Sequence, residues 1–368
     1  MIQLLLLITL AFGEESPLKA DERVVLFPAL GRLEEGGRVW RIAVHGWLFE
    51  PEEDSRVRAS LLAALRTSCG ILPDEAEGAV FQERARAFLV DNERGKSLPV
   101  RVGGKVRVMD ETLPNGHFTG TCELDAAEAR KHLAAEGPVP RKLEVSVVTR
   151  EGDRRVFAGE VHLLPPVGVS VISDIDDTIK VSEVLDRKAL LANTFLRDFR
   201  PVPGMAEVYE SWRKRGAAFH YVSSSPWQLY EPLQAFRTAA GFPPGTFHLK
   251  TFRWKDSTFF DLLESPIEYK RGEIDPLLSA FPRRRFVLVG DTGEKDPEIY
   301  GETARKHPSQ VEKVLLRDVT GEWQVSERLS RAFNGVPRTR WLVFRDPDEI
   351  AGLLPELPSP PADVPKHR

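Results

Sequence analysis

An α/β fold built on a parallel sheet, preceded by a separate β-rich region, is what this sequence predicts. Three observations lead there. Beyond Pro165-Pro166 and Gly168, apolar strand-like runs alternate with helical stretches, the rhythm of a parallel sheet with crossover helices. Acids and hydroxyls recur where those runs end, and open α/β sheets bind ligands at the carboxyl ends of their strands. Before the Pro-Pro boundary, short runs rich in aromatic and β-branched residues are separated by turn residues, which reads as a sandwich-like β domain.

The chain has 368 residues, 42% hydrophobic and 29% charged, enough for two domains with cores of their own. Its net charge is -4, so nothing in the overall charge calls for nucleic acid. Ile2 to Phe12 is almost wholly apolar, but too short for a membrane span, which takes about 20 apolar residues. With the small-residue stretch Ala11-Phe12-Gly13 after it, it reads as a signal peptide over residues 1–13. That makes the expected protein exported, periplasmic or extracellular, although the leader lacks the usual Lys or Arg. Export would permit a disulfide between the two cysteines, Cys69 and Cys122. Two buried thiols satisfy the same sequence equally well.

The β-rich region is expected over residues 14–166. Val24 to Pro28 and Val39 to Phe49 read as strands. Arg58 to Arg66 has helical spacing and good helix formers. Glu77 to Asn92 fits a helix or a strand. Val100 to Met109 alternates about Gly103-Gly104, a hairpin signal. Pro114-Asn115-Gly116 is a turn before a strand at Phe118 to Leu124, and a helix follows at Ala126 to Ala135. Leu143 to Val148 and Arg155 to Leu164 flank a turn at Glu151-Gly152-Asp153. No catalytic cluster stands out in this region.

The α/β domain is expected over residues 167–356, with a disordered proline-rich tail at 357–368. Its strands are Val169 to Ser173, Ala217 to Ser223, Phe286 to Gly290, Lys313 to Arg317 and Arg340 to Arg345. Its helices are Met205 to Arg215, Trp227 to Ala240, Glu273 to Phe281 and Pro297 to His307. The strand ends deliver Asp174 and Asp176, then Ser223-Ser224-Ser225-Pro226, then Asp291 with Asp296 beyond it, and finally Arg317-Asp318, read as an internal salt bridge.

Asp174, Asp176 and Asp291 brought together would repel one another and raise each other's pKa values. A hard divalent cation relieves that, and an open set of one or two carboxylates plus substrate oxygens suits magnesium. Calcium suits the stretch less well than magnesium, because Thr178-Ile179-Lys180 follows the acids with neither the glycine nor the distal glutamate of an EF-hand loop.

At these residues the sequence resembles a family. Asp174-Ile175-Asp176-Asp177-Thr178 is similar to the D-x-D-x-T first motif of haloacid dehalogenase-like phosphatases, Ser223 ends a strand as their second motif does, and Gly290-Asp291 with Asp296 resembles their acidic motif. Within that superfamily the chain looks closest to the actin-patch-protein type of phosphatidate phosphatase. The likeness runs through Ser173 to Lys180, Ser223 to Trp227, the Lys270 region and Gly290 to Tyr300, from about residue 170 to 320. It departs at Ser224, where asparagine is usual, and at Tyr269, where histidine is usual.

The resemblance implies a haloacid dehalogenase-like Rossmannoid sheet and a magnesium-dependent hydrolysis of a phosphomonoester. It implies that Asp174 attacks phosphorus to form an aspartyl-phosphate, and that Asp176 protonates the leaving oxygen and then activates water. It implies a magnesium site made by the Asp174 carboxylate, the Asp176 main-chain carbonyl and Asp291, with Asp296 completing or orienting it. Ser223, the following backbone N–H and Lys270 would balance the phosphoryl charge. Lys250 and Lys255 compete with Lys270 for that role, and Asp177 reads as structural support.

The segments available to cover such a site, Val181 to Pro203 and Pro243 to Tyr269, are too small for a full cap domain. A minimal cap leaves an open site, suited to a phosphate on a bulky carrier such as phosphatidic acid or a related lipid phosphate. Phe247 to Lys255, aromatic and basic, fits a peripheral contact with an anionic membrane, and equally a strand and turn packed on the core. Phosphatases of proteins, nucleotides or sugar phosphates, and a non-catalytic lipid-binding or envelope protein, are the alternatives.

Overall fold

The structure, a computed structural model, describes residues 16–51, 63, 66–67, 78–133, 141–251, 267–321 and 326–356. The expected leader, most of the helix expected at Arg58 to Arg66, Cys69 and the tail lie outside the described residues.

The N-terminal region is β-rich, as expected. Its strands are β1 (Arg23–Leu26), β2 (Ala29–Leu33), β3 (Val39–Glu50), β4 (Asp91–Asn92), β5 (Pro99–Val102), β6 (Lys105–Val108), β7 (His117–Asp125), β8 (Arg141–Val147) and β9 (Ala158–Leu164). They join in one hydrogen-bonded network of nine strands, ordered β1-β3-β2-β9-β8-β5-β6 with β4 and β7 on β3. The long β3 carries this arrangement, pairing with β7 along one edge and with β2 and then β1 along the other.

Strand β2 is absent from the sequence reading because Gly31 and Arg32 interrupt its apolar character. Gly31 is there for space: a Cβ on it would lie 2.5 Å from Leu163 Cδ2 of the paired β9, and a glycine inside a strand often marks such an approach. The ambiguous Glu77 to Asn92 stretch resolves into helix α1 (Ala79–Arg86) followed by β4. Helix α2 (Ala126–Lys131) starts at Asp125, whose carboxylate accepts from the backbone N–H groups of Ala127 and Glu128, an N-cap.

The α/β region follows β9 directly. Its strands are β10 (Gly168–Ser173), β11 (Ala218–Pro226), β12 (Thr246–Lys250), β13 (Arg284–Asp291), β14 (Val311–Arg317) and β15 (Trp341–Phe344). Its helices are α3 (Arg187–Phe195), α4 (Met205–Lys214), α5 (Tyr230–Ala239), α6 (Ile267–Ala280), α7 (Asp296–Lys306) and α8 (Glu327–Ala332). The six strands are all parallel and ordered β12-β11-β10-β13-β14-β15. Strand β10 is central, and its unbroken apolar run follows from burial on both faces. Val169 and Val171 enter one core while Ile172 enters the other, and Val287 and Val289 against Phe286 and Leu288 repeat the alternation on β13.

Three sequence expectations change. Strand β12 takes Phe247 and Leu249 into the core, so the core-strand reading holds for residues 246–250, while Phe252, Trp254 and Lys255 lie outside the described residues. Helix α6 begins at Ile267, not Glu273, despite Pro276 within it, and so carries Lys270 on a helix. Arg317 and Asp318 are not paired with each other: Arg317 donates to the carbonyl of Asp177 at 2.7 Å, and Asp318 pairs with Arg345 at 2.8 Å. Successive strand residues face opposite sides of the sheet, which separates the two side chains.

The two regions share a core. Val25, Phe27, Trp47, Phe49, Phe81 and Ala85 of the N-terminal region are buried in one cluster with Val169, Ile179, Phe195 and Trp227. Among the described residues, no helix is long and apolar enough to cross a membrane.

Candidate active site

The turn after β10 sets the geometry. The backbone N–H groups of Ile179 and Lys180 both donate to the carbonyl of Ile175 at 3.0 Å, and Asp177 N–H donates to the carbonyl of Lys180 at 2.7 Å. Asp177 sits in the left-handed region at φ 50, which asparagine and aspartate enter more readily than other non-glycine residues. Its carboxylate accepts from the backbone N–H groups of Ser182 (2.8 Å), Glu183 (3.0 Å) and Val184 (2.6 Å). Asp177 therefore ties down the returning loop, the structural role read for it. The turn aims Asp174 and Asp176, two residues apart, into different surroundings.

Asp174 meets Asp291 and Asp296, and one carboxylate oxygen of each lies within 4.8 Å of the others. Parallel register does this: Ser173 pairs with Val289, so β10 and β13 end together. All three acids are buried. Lys270, wholly buried on α6, donates to Asp174 Oδ1 at 2.7 Å, Asp296 Oδ1 at 2.7 Å and Glu294 Oε2 at 3.0 Å. Thr178 Oγ1 donates to Asp174 Oδ2 at 3.2 Å. The Asp291 Oδ1 atom accepts from the backbone N–H groups of Gly293 and Glu294, while Asp291 Oδ2 is buried without a partner.

Three carboxylates (Asp174, Glu294, Asp296) thus share one ammonium, and Asp291 lies beside two of them. Burial and then its acidic neighbours push the Asp174 carboxyl well above its ordinary value, with Lys270 pulling the other way. Burial, Asp296 and Glu294 do the same to Asp291. Burial works against the Lys270 charge, but Asp174, Asp296 and Glu294 outweigh it and push its pKa well up.

Asp176 has the opposite surroundings. Lys180 Nζ lies 2.7 Å from its Oδ1, and Ser182 Oγ donates to Oδ1 at 2.7 Å. Ser223 Oγ at 3.1 Å and Ser225 Oγ at 3.2 Å donate to Oδ2. Burial alone would raise the Asp176 pKa, but Lys180 and the hydroxyls reverse that and hold it at about 2. Its carboxylate is not part of the three-acid group.

The residues singled out from the sequence therefore fall into two adjoining groups. Asp174, Asp291, Asp296 and Lys270 form one, and Asp176 with Ser223 forms the other. Lys270 is the lysine that contacts Asp174; Lys250 lies on the edge strand β12, and Lys255 lies outside the described residues. Glu294, Lys180 and Ser182 were not singled out. Glu294 lies between two acids already noted, and Lys180 closes the first motif, so position relative to a motif was the available signal.

The donor set fits a hard divalent cation. It is all oxygen, carries more negative charge than Lys270 neutralises, and includes a buried carboxylate oxygen with nothing else to bind.

Residues 169–318 match the family model described as the catalytic domain of phosphatidate phosphatase APP1. The phosphatidate phosphatase APP1 of Saccharomyces cerevisiae is 36% identical over 160 residues, 42% of this chain and 27% of that protein. An uncharacterized protein of Schizosaccharomyces pombe is 30% identical over 173 residues, 46% of this chain and 28% of that protein. The chain thus spans little more than a quarter of the curated relatives it matches. Among solved structures, it is similar to a phosphoserine phosphatase in apo form (14% identity, TM-score 0.31, 49% of this chain and 96% of that one). It is also similar to the DsGPDH of Dunaliella salina (15% identity, TM-score 0.31, 49% of this chain and 35% of that one).

Proposed function

We propose, from the premise that residues 169–318 belong to the family of the phosphatidate phosphatase APP1 catalytic domain, that this protein is a magnesium-dependent phosphatase acting on phosphatidic acid or a related lipid phosphate. The observation that carries the chemistry is the convergence of Asp174, Asp291 and Asp296 beside Lys270, with Asp291 Oδ2 buried and unpartnered. The parallel sheet, with Asp174 at the end of its central strand, supports the haloacid dehalogenase-like reading.

Asp174, Asp291, Asp296 and the Asp176 main-chain carbonyl would hold the metal. When bound, the ion supplies positive charge for the phosphoryl oxygens and keeps the carboxylates ionised. Asp174 is the nucleophile, and one hard displacement becomes two through an aspartyl-phosphate. Lys270 orients Asp174 through Oδ1 and Thr178 through Oδ2, so attack needs little reorganisation.

Asp176 moves the protons. Held as an anion by Lys180 and three serines, it is ready to take a proton from the hydrolytic water. The proton it takes from that water in one turnover is the one it gives to the leaving oxygen in the next, so the cycle balances. Ser223 and Ser225 bridge Asp176 to the end of β11, where the phosphoryl group would meet backbone N–H groups.

The test is phosphate release from an aryl phosphate, and from phosphatidic acid vesicles against soluble phosphate esters. Turnover with magnesium, loss with EDTA and preference for the vesicles are expected. No release from any phosphomonoester would overturn the phosphatase reading, and a preference for soluble esters the lipid one.

A further inference from the structure

The N-terminal region reaches the Asp176 cluster through one buried arginine. Helix α1 buries Phe81, Arg84 and Ala85, positions i, i+3 and i+4 that share a helix face. Phe81 and Ala85 enter the core shared with Ile179, Leu191 and Phe195, which turns Arg84 toward the C-terminal end of α3. There Arg84 Nη1 donates to the carbonyl of Thr194 at 2.6 Å and approaches that of Asn193 at 3.5 Å. Carbonyls in the last turn of a helix lack intrahelical donors, and a cation there also meets the negative end of the helix dipole.

The contacts continue inward. Asn193 Nδ2 donates to the carbonyl of Ser182 at 3.1 Å, and Ser182 Oγ donates to Asp176 Oδ1. A second route runs over one ring. The Arg84 guanidinium lies 3.8 Å from the centroid of Phe199 and the Lys180 ammonium 4.9 Å from it, cation–π contacts that fix both side chains. Lys180 is the ion-pair partner of Asp176. Both routes leave the same guanidinium and end on the same carboxylate.

We propose that Arg84 is a positioning residue: the N-terminal region, through Arg84, α3 and Phe199, holds the Ser182 and Lys180 contacts that aim Asp176. The proposal rests on the role given above to Asp176. It assigns the N-terminal region a part in the reaction, and it makes the short segment between the first two motifs a strut between regions as well as a cover for the site.

The experiment uses full-length protein, kinetics on an aryl phosphate with magnesium, and amide hydrogen exchange. Arg84→Ala should lower kcat roughly 10-fold with KM within about 2-fold, less than the about 100-fold that a 1 Å misplacement can cause. Exchange at the amides of Ser182, Glu183 and Val184 should quicken by about 10-fold. Arg84→Lys, which keeps one donor and the charge, should recover part of both. Asn193→Ala, which cuts one of the two routes, should reproduce part of the effect, and the double variant should be no worse than Arg84→Ala, because Asn193 lies downstream of Arg84. Arg23→Ala, which breaks an exposed ion pair to Glu231 between the same two regions, should change neither readout.

Unchanged turnover and exchange in Arg84→Ala would overturn the proposal, as would a raised KM at constant kcat or fully additive effects of Arg84→Ala and Asn193→Ala. If Arg84→Ala fails to fold, Arg84→Lys and Asn193→Ala decide by the same readouts. If the unmodified protein releases no phosphate, the phosphatase reading fails, while exchange at residues 182–184 still tests whether Arg84 holds the loop.

Discussion

Asp174 and Asp176 leave the same strand two residues apart, yet their carboxylates live in opposite electrostatic worlds. Asp174 shares one lysine with Asp296 and Glu294, and its pKa is driven up by burial and by its acidic neighbours. Asp176 has a lysine of its own and three hydroxyls, and its pKa is held at about 2. A buried cluster with excess negative charge is incomplete without a cation from outside the chain. A buried acid matched by one lysine and satisfied by hydroxyls is complete. The difference separates the proposed metal and phosphoryl site from the proposed proton-transfer group without reference to any motif.

The comparison breaks most visibly at Asp174. Asn there removes the nucleophile and should reduce phosphate release to background, measured as inorganic phosphate; activity left within tenfold of normal would deny Asp174 that role. Asp176→Asn should cost about 100- to 10,000-fold in kcat, roughly 3 to 5 kcal/mol, and a near-normal variant would reassign proton transfer to another group.

The charge imbalance itself is tested by heat. Magnesium at about 100 times its Kd should stabilise the protein by about 2.7 kcal/mol, seen as a rise in Tm that EDTA reverses. Asp291→Asn should abolish that rise. It should also make the metal-free protein no less stable, because it removes one buried like charge. Asp176→Asn should keep the magnesium effect.

A pH-dependent effect of similar size lies where the two regions meet. His45, half-buried, and His117, buried, lie 2.9 Å apart, against Phe27 and Trp227. Burial, helped by its neighbour, lowers His45 to about 3, and burial lowers His117 to about 4. Both stay neutral when folded and bind protons near pH 6.5 when unfolded. The unfolded chain therefore takes up more protons as pH falls below 6.5. Stability is full above that value and declines toward pH 3 to 4, by about 2 kcal/mol per histidine at pH 5. Chemical denaturation from pH 8 to 5 measures this, and His45→Phe should flatten the profile.

How much was legible in the sequence varies with the range of the forces involved. Strand-helix alternation beyond Gly168 and the acids at strand ends were readable because each depends on residues within a few positions. The sequence reading starts α6 six residues late, because Gly272 weakens the local helical signal just ahead of Glu273. Strand β2 was missed because Gly31 serves a distant neighbour. Arg317 was paired with Asp318 on proximity in sequence, while strand geometry sends the two side chains to different partners.

By itself the sequence determined a parallel sheet, the positions of its acids and their likeness to one family, because burial periodicity and strand-end chemistry are local. Only the tertiary structure decided which lysine serves Asp174, that Asp176 is partnered apart from it, and that Arg84 reaches across from the N-terminal region. Lys270 and Asp174 lie 96 positions apart, Arg84 and Thr194 110 apart. Electrostatic and hydrogen-bond partners are chosen by distance in space, which the packing of β10, β13, α1, α3 and α6 sets and no local pattern records.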